Sequence, residues 1–351
     1  MARPSGAANN PHLITSPALL SISPSRGKQA MGNIRKILFC ALAAALCASA
    51  ASASQCQLKM VGTMDIVTGS DGRLLVPVTV DGMKGYFRFD IGSPVSAIVA
   101  SASNNADLKR STISQDTHVS MDGKSMTESV TPDLGLGGAT GPAILGVASS
   151  LDNPDPREIG VLGFDVLRNF DVEFDPAHNK LNLFAQDHCP NQVIYWTRSA
   201  PVAAVPIKTR GFADFSVVMQ LDGKDLQTNI SMNTSNAQLS TRVALNLFGL
   251  PVPADANSEH PKPYSPAFKA LTMDGLTIVN PVVYPYYDPT LNGCNGQANE
   301  QGPPLHNETH REIWRCFGMP DLYIGRNELS KLRTFFDFSE KMLFATAANA
   351  Q

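Results

Sequence analysis

The chain has 351 residues, 43% of them hydrophobic and 17% charged, with a formal net charge of −3. That composition excludes a disordered chain and suffices for one or two full cores. Residues 1–53 hold five basic residues (Arg3, Arg26, Lys28, Arg35, Lys36) and no acid, leaving 23 of the 28 basic residues against all 31 acidic ones in the remainder. With that acidic balance and no long Lys/Arg run, no nucleic-acid partner is expected.

Residues 1–30 are polar and lack periodicity, and read as a non-native extension ahead of the true start. From Met31 the chain reads MGNIRKILFCALAAALCASAASAS, a basic segment, an apolar run and small residues. Residues 31–53 are therefore expected to be a signal peptide, cleaved after Ala48-Ser49-Ala50 or Ala51-Ser52-Ala53. The apolar run from Ile37 to Ala53 is too short and too rich in Ala and Ser for a membrane anchor, so no membrane span is expected in the mature form. Cys40 and Cys47 leave with the signal, and Cys56, Cys189, Cys294 and Cys316 remain. An even number in an exported chain suggests disulfides, with three possible connectivities.

The rest of the chain repeats itself. GRLLVPVTVDGMKGYFRFD (72–90) reads as two strands joined at Asp81-Gly82, and FSVVMQLDGKDLQTNIS (215–231) does the same around Asp222-Gly223. An Asp-Gly pair between alternating apolar residues is a strong hairpin signal. Later, GVLGFDVLRNFDVEFDPAHNKLNLF (160–184) lines up with LYIGRNELSKLRTFFDFSEKMLF (322–344). Gly163, Leu167 and Asp175 then match Gly325, Leu329 and Asp337. The chain divides into a β-rich lobe at 54–190, a linker at 191–198 and a second β-rich lobe at 199–348.

A strand pair ending in Asp90-Ile91-Gly92-Ser93, followed later by Val161-Leu162-Gly163 and a short helix, resembles the retropepsin-like aspartic peptidases. In particular it resembles the exported bacterial type with two lobes in one chain. It implies an all-β fold of two acid-protease β-barrel lobes, each with a short helix. It also implies a hairpin flap around Met121-Asp122-Gly123-Lys124, a peptide or protein substrate and a periplasmic or secreted location. In this frame Cys56–Cys189 would close the first lobe. Cys294–Cys316 would pin an insertion in the second, where 94 residues separate Ser231 from Gly325, against 73 from Asp90 to Gly163.

The family uses two catalytic carboxylates, and spacing locates the second position. Asp90 lies nine residues after Asp81 and eight before Ile98; nine after Asp222 and eight before Leu239 stands Ser231. Asp90-Ile91-Gly92-Ser93 thus aligns with Ser231-Met232-Asn233-Thr234. Setting Asn233 against Asp90 instead requires a two-residue insertion and ranks second. Neither alignment supplies a carboxylate. Two close carboxylates split their pKa values, which yields a general base for the water and a general acid for the leaving amine. Asp90 alone keeps no proton to donate, and losing one acid–base partner costs about 10²–10⁴ in rate.

Ile91 and Met232 also replace the threonines that knit the family's lobes together beneath the dyad. Asn233 stands where the family has Gly, and Asn tolerates positive φ, so the turn is expected to survive. Ser231 has no histidine placed to activate it as a nucleophile, and Ser93 and Thr234 read as turn residues. The second motif, Val161-Leu162-Gly163 and Tyr323-Ile324-Gly325, is expected beside the catalytic turns. His306 and His310 lack a third ligand, and no metal or cofactor is expected. Three readings follow: a weakly active aspartic endopeptidase using Asp90, a pseudopeptidase that binds extended peptides, and a lobe-1 dimer that rebuilds the dyad. A monomer is expected over a homodimer, since a dimer requires lobe 2 to vacate its place.

Overall fold

The computed structural model describes residues 57–113, 119–121, 124–152, 155–190, 192–210, 214–258, 260–265, 267–288 and 319–350. The signal segment, Cys56, Cys294, Cys316, His306, His310 and the tip Asp122-Gly123 of the expected flap lie outside these residues. The strands flanking that tip, Val119–Met121 and Lys124–Met126, do pair as a hairpin.

Among the described residues the architecture is all-β and two-lobed, with four short helices. In the first lobe, Leu74–Val80 and Met83–Phe89 form a hairpin, and Met83–Phe89 pairs in parallel with Glu158–Leu162. The second lobe repeats this with Asp214–Leu221, Lys224–Ile230 and Leu322–Ile324. Both hairpins turn as their sequences predict. Asp81 and Gly82 have φ of 46° and 83°, Asp222 and Gly223 of 47° and 78°. Two successive positive φ values define the turn whose twist matches paired strands. Each Asp also uses its side chain alike: Asp81 Oδ1 accepts the Asp133 N–H, and Asp222 Oδ1 accepts the Ala270 N–H.

A six-stranded sheet joins the lobes, in the order Met60–Asp65, Lys180–Phe184, Asp171–Asp175, Leu332–Asp337, Met342–Ala347, Ala203–Pro206. Its two halves correspond under the duplication, and they meet between Asp171–Asp175 and Leu332–Asp337. The connecting segment is packed against this sheet. Val193 is buried with Phe184, Phe335 and Phe344, the Trp196 indole N–H donates to Thr346 Oγ1, and the Tyr195 hydroxyl donates to Glu173. No helix among the described residues is long and apolar enough to cross a membrane.

Candidate functional site

Each lobe ends its second hairpin strand in a turn that is braced by the later apolar-apolar-Gly segment. In the first lobe the Asp90 N–H donates to Leu162 O at 3.1 Å, and the Phe164 N–H donates to Ser93 O at 2.8 Å. In the second, the Ser231 N–H donates to Ile324 O and the Arg326 N–H to Thr234 O, both at 3.0 Å. The strand registers agree: Leu162 pairs with Phe89, and Ile324 with Ile230. In these contacts Ser231 holds the position in its lobe that Asp90 holds in the first.

The glycines of the second motif are required for space. A Cβ on Gly163 would lie 2.6 Å from Val95 O, and one on Gly325 would lie 2.6 Å from Asn236 O. Both obstacles are backbone, so neither strand can pass its turn this closely with a larger residue.

The two turns touch across the lobe boundary. Asp90 is buried, at 7% exposure, and its Oδ1 accepts two backbone N–H groups. One is Gly92 in its own turn at 3.2 Å; the other is Met232 of the opposite lobe at 2.9 Å. Gly92 packs so tightly on the second lobe that a Cβ there would fall 1.7 Å from Ile230 O. This corrects the reason expected for the third motif position. Neither Gly92 nor Asn233 has positive φ. The first lobe needs glycine for room, whereas Asn233 is partly exposed and fits the same turn in the second. Ile91 and Met232 are fully buried in the shared core, so apolar packing stands where the related threonines would bond. Ser93 and Thr234 bond backbone within their turns: Ser93 Oγ donates to Val95 O, and Thr234 Oγ1 to Ser231 O.

Arginines crowd this junction. Arg88, two residues before Asp90 and 2% exposed, donates from Nη1 to Asn233 Oδ1 at 3.1 Å. Its Nε lies 3.4 Å from Glu158 Oε1. Burial raises the Glu158 pKa, with the Arg88 charge opposing. Arg326 donates to the carbonyls of Met232 and Asn233 at 2.7 and 2.9 Å, and to Ser235 Oγ at 2.9 Å. Burial lowers the Arg326 pKa, while the charges of Asp71 and Asp90 resist that shift. The sequence reading missed these arginines, although Arg326 directly follows the Tyr323-Ile324-Gly325 motif. One carboxylate among backbone donors and guanidinium groups can hold negative charge and bond a water or a peptide amide.

No family model matches the chain, and no curated protein matches its sequence. Among solved structures, it is similar to an aspartic proteinase from Irpex lacteus, with 14% identity and a TM-score of 0.49 over 82% of this chain and 97% of that one. It is also similar to basic 7S globulin from soybean, with 10% identity and a TM-score of 0.47 over 84% of this chain and 99% of that one. The twice-repeated strand pairing of the chain itself defines the class: an all-β fold of two duplicated lobes.

Proposed function

We propose that this is an exported protein of the two-lobe, retropepsin-like type that binds extended peptides in its interlobe cleft and cleaves them weakly or not at all. Ser231 carries this reading. It meets Ile324 as Asp90 meets Leu162, so the expected second carboxylate position holds a hydroxyl. Asp90 would be the sole surviving dyad carboxylate, with no second carboxylate opposite it to share a proton. Peptide capture would use strand addition, in which main-chain bonds supply affinity without chemistry. A lobe-1 homodimer is disfavoured because the Met232 N–H and the Ile230 backbone fill the space beside Asp90 and Gly92. Export rests on the segment 31–53, and an oxidising compartment would suit the Cys56–Cys189 and Cys294–Cys316 bridges.

The test is peptide cleavage across acidic and neutral pH, with and without an aspartic-peptidase transition-state inhibitor. The unmodified protein is expected to bind peptides with little turnover. Ser231→Asp, with Ile91→Thr and Met232→Thr beneath it, is expected to raise inhibitor-sensitive cleavage at acidic pH by about 10²-fold or more. Efficient cleavage by the unmodified protein that Asp90→Asn abolishes would overturn the pseudopeptidase reading.

A further inference from the structure

A second cluster of ionisable groups lies where the two halves of the six-stranded sheet meet. Strands Asp171–Asp175 and Leu332–Asp337 are antiparallel, with Val172 opposite Phe336 and Phe174 opposite Thr334. One residue further out, Asp175 comes beside Arg333 at one end, and Asp171 beside Asp337 at the other. The duplication makes the two ends counterparts, yet their charges differ. Arg333 Nη2 lies 3.2 Å from Asp175 Oδ2 and 2.7 Å from Glu173 Oε1, so at this end a guanidinium faces the carboxylates. At the other end two carboxylates with no exposed side-chain surface face each other. Such a pair is destabilising without compensation.

His188 stands between them with its side chain 1% exposed, its Nε2 2.6 Å from Asp171 Oδ2 and 3.8 Å from Asp337 Oδ2. The other carboxylate oxygens are already satisfied. Asp171 Oδ1 accepts the Phe338 and Ser339 N–H groups at 2.8 and 3.2 Å, and Gln186 Nε2 at 3.5 Å. Asp337 Oδ1 accepts Ser339 Oγ and the Glu340 N–H, both at 2.8 Å. Asp337 Oδ2 is buried and has no hydrogen-bond partner.

The imidazole is oriented from behind, its Nδ1 lying 3.1 Å from the Cys189 carbonyl. That contact puts a proton on Nδ1, and Nε2 faces both carboxylates, at hydrogen-bonding distance from Asp171 Oδ2, where a cation would take the place of the shared proton. A divalent cation beside a neutral imidazole and two carboxylates balances the charge. A backbone carbonyl on the far ring nitrogen is the usual support of a metal-ligating histidine.

We propose that Asp171 Oδ2, His188 Nε2 and Asp337 Oδ2 bind a divalent transition cation of the zinc class. The three ligand atoms lie within 4.8 Å of one another. Metal–ligand bonds of about 2.0–2.2 Å place tetrahedral ligand atoms roughly 3.3–3.5 Å apart, between the 2.6 and 3.8 Å separations found here. Ser339 Oγ, 3.4 Å from His188 Nε2, is the adjoining fourth ligand atom. Its role is structural: it ties a first-lobe strand and the turn after that lobe's last strand to a second-lobe strand.

The experiment uses the full mature chain without a histidine tag, stripped with chelator and titrated with Zn²⁺ or Co²⁺. One equivalent is expected to bind, and a hundredfold excess of free Zn²⁺ over Kd should raise Tm by about 5 °C. Bound Co²⁺ should show four-coordinate visible bands without a sulfur charge-transfer band. Asp337→Asn and His188→Gln should each weaken binding at least tenfold, and the His306→Gln, His310→Gln double variant should retain it. Should the aspartate and histidine variants fail to fold, stoichiometry and the Co²⁺ spectrum of the unmodified protein still decide. A chain that stays metal-free in excess Zn²⁺ with an unchanged Tm overturns the proposal, leaving an imidazolium bridge between two carboxylates. So does binding that follows His306 and His310.

Discussion

Replacing Asp90 by alanine or by asparagine separates its chemistry from its structural role. Asp90 Oδ1 accepts the buried Met232 N–H at 2.9 Å and the part-buried Gly92 N–H at 3.2 Å. Asp90→Ala removes the acceptor that both donors share. A buried donor left without a partner costs about 1–3 kcal/mol, and the part-buried one less, so the loss should total about 2–4 kcal/mol. Asp90→Asn keeps an oxygen in place for both donors. It loses only the charge assistance, which roughly doubles such bonds, at a cost of about 1 kcal/mol. Urea unfolding of the mature protein should therefore give an order Asp90→Ala below Asp90→Asn below unmodified, with about 2 kcal/mol between the two variants. If the two variants unfold within about 0.5 kcal/mol of each other, the Oδ1 bridge does not hold the lobes together and the reasoning fails. Peptide binding measured on the same samples should survive Asp90→Asn if the cleft works through strand addition.

Other consequences can be checked on the same material. Gly163→Ala and Gly325→Ala each drive a methyl into backbone at 2.6 Å and should cost about 2–4 kcal/mol in chemical denaturation; a neutral outcome would show that the turns can move aside. Burial raises the Glu328 pKa above its ordinary 4.5, so the folded state keeps this proton longer than the unfolded chain, and the linked stability is lost as pH rises past about 4.5. Glu328→Gln should flatten that fall in thermal melts between acidic and neutral pH, and an unaltered slope would refute it. Met60 pairs with Phe184, and the Ala185 N–H bonds Lys59 O, so the first strand starts beside the end of the strand that Cys189 follows. Non-reducing peptide mapping is expected to recover Cys56–Cys189, and a Cys56–Cys294 or Cys56–Cys316 bridge would sink the assignment.

Much of the fold was legible in the sequence because its signals are local. Asp81-Gly82 and Asp222-Gly223 specify a turn that needs two positive φ values, and alternating apolar residues on either side specify the strands. Repetition of those units at constant spacing led from Asp90 to Ser231 without any tertiary information. What happens between the lobes was decided by the tertiary structure alone. Gly92 is required by the Ile230 carbonyl, which approaches from 138 positions further along the chain, and its own φ gives no hint of that need. Arg88 carries no signal in the sequence beyond that of a charged residue near a strand end, yet it is buried and reaches Asn233 across the boundary. His188, set in a turn-rich stretch after a strand, gave no signal; only the meeting of Asp171–Asp175 with Leu332–Asp337 puts it between two carboxylates. The physical reason is common to all three. Periodicity and turn chemistry report how a residue relates to its sequence neighbours, whereas burial of a charge and close backbone approach depend on which distant surface arrives opposite it.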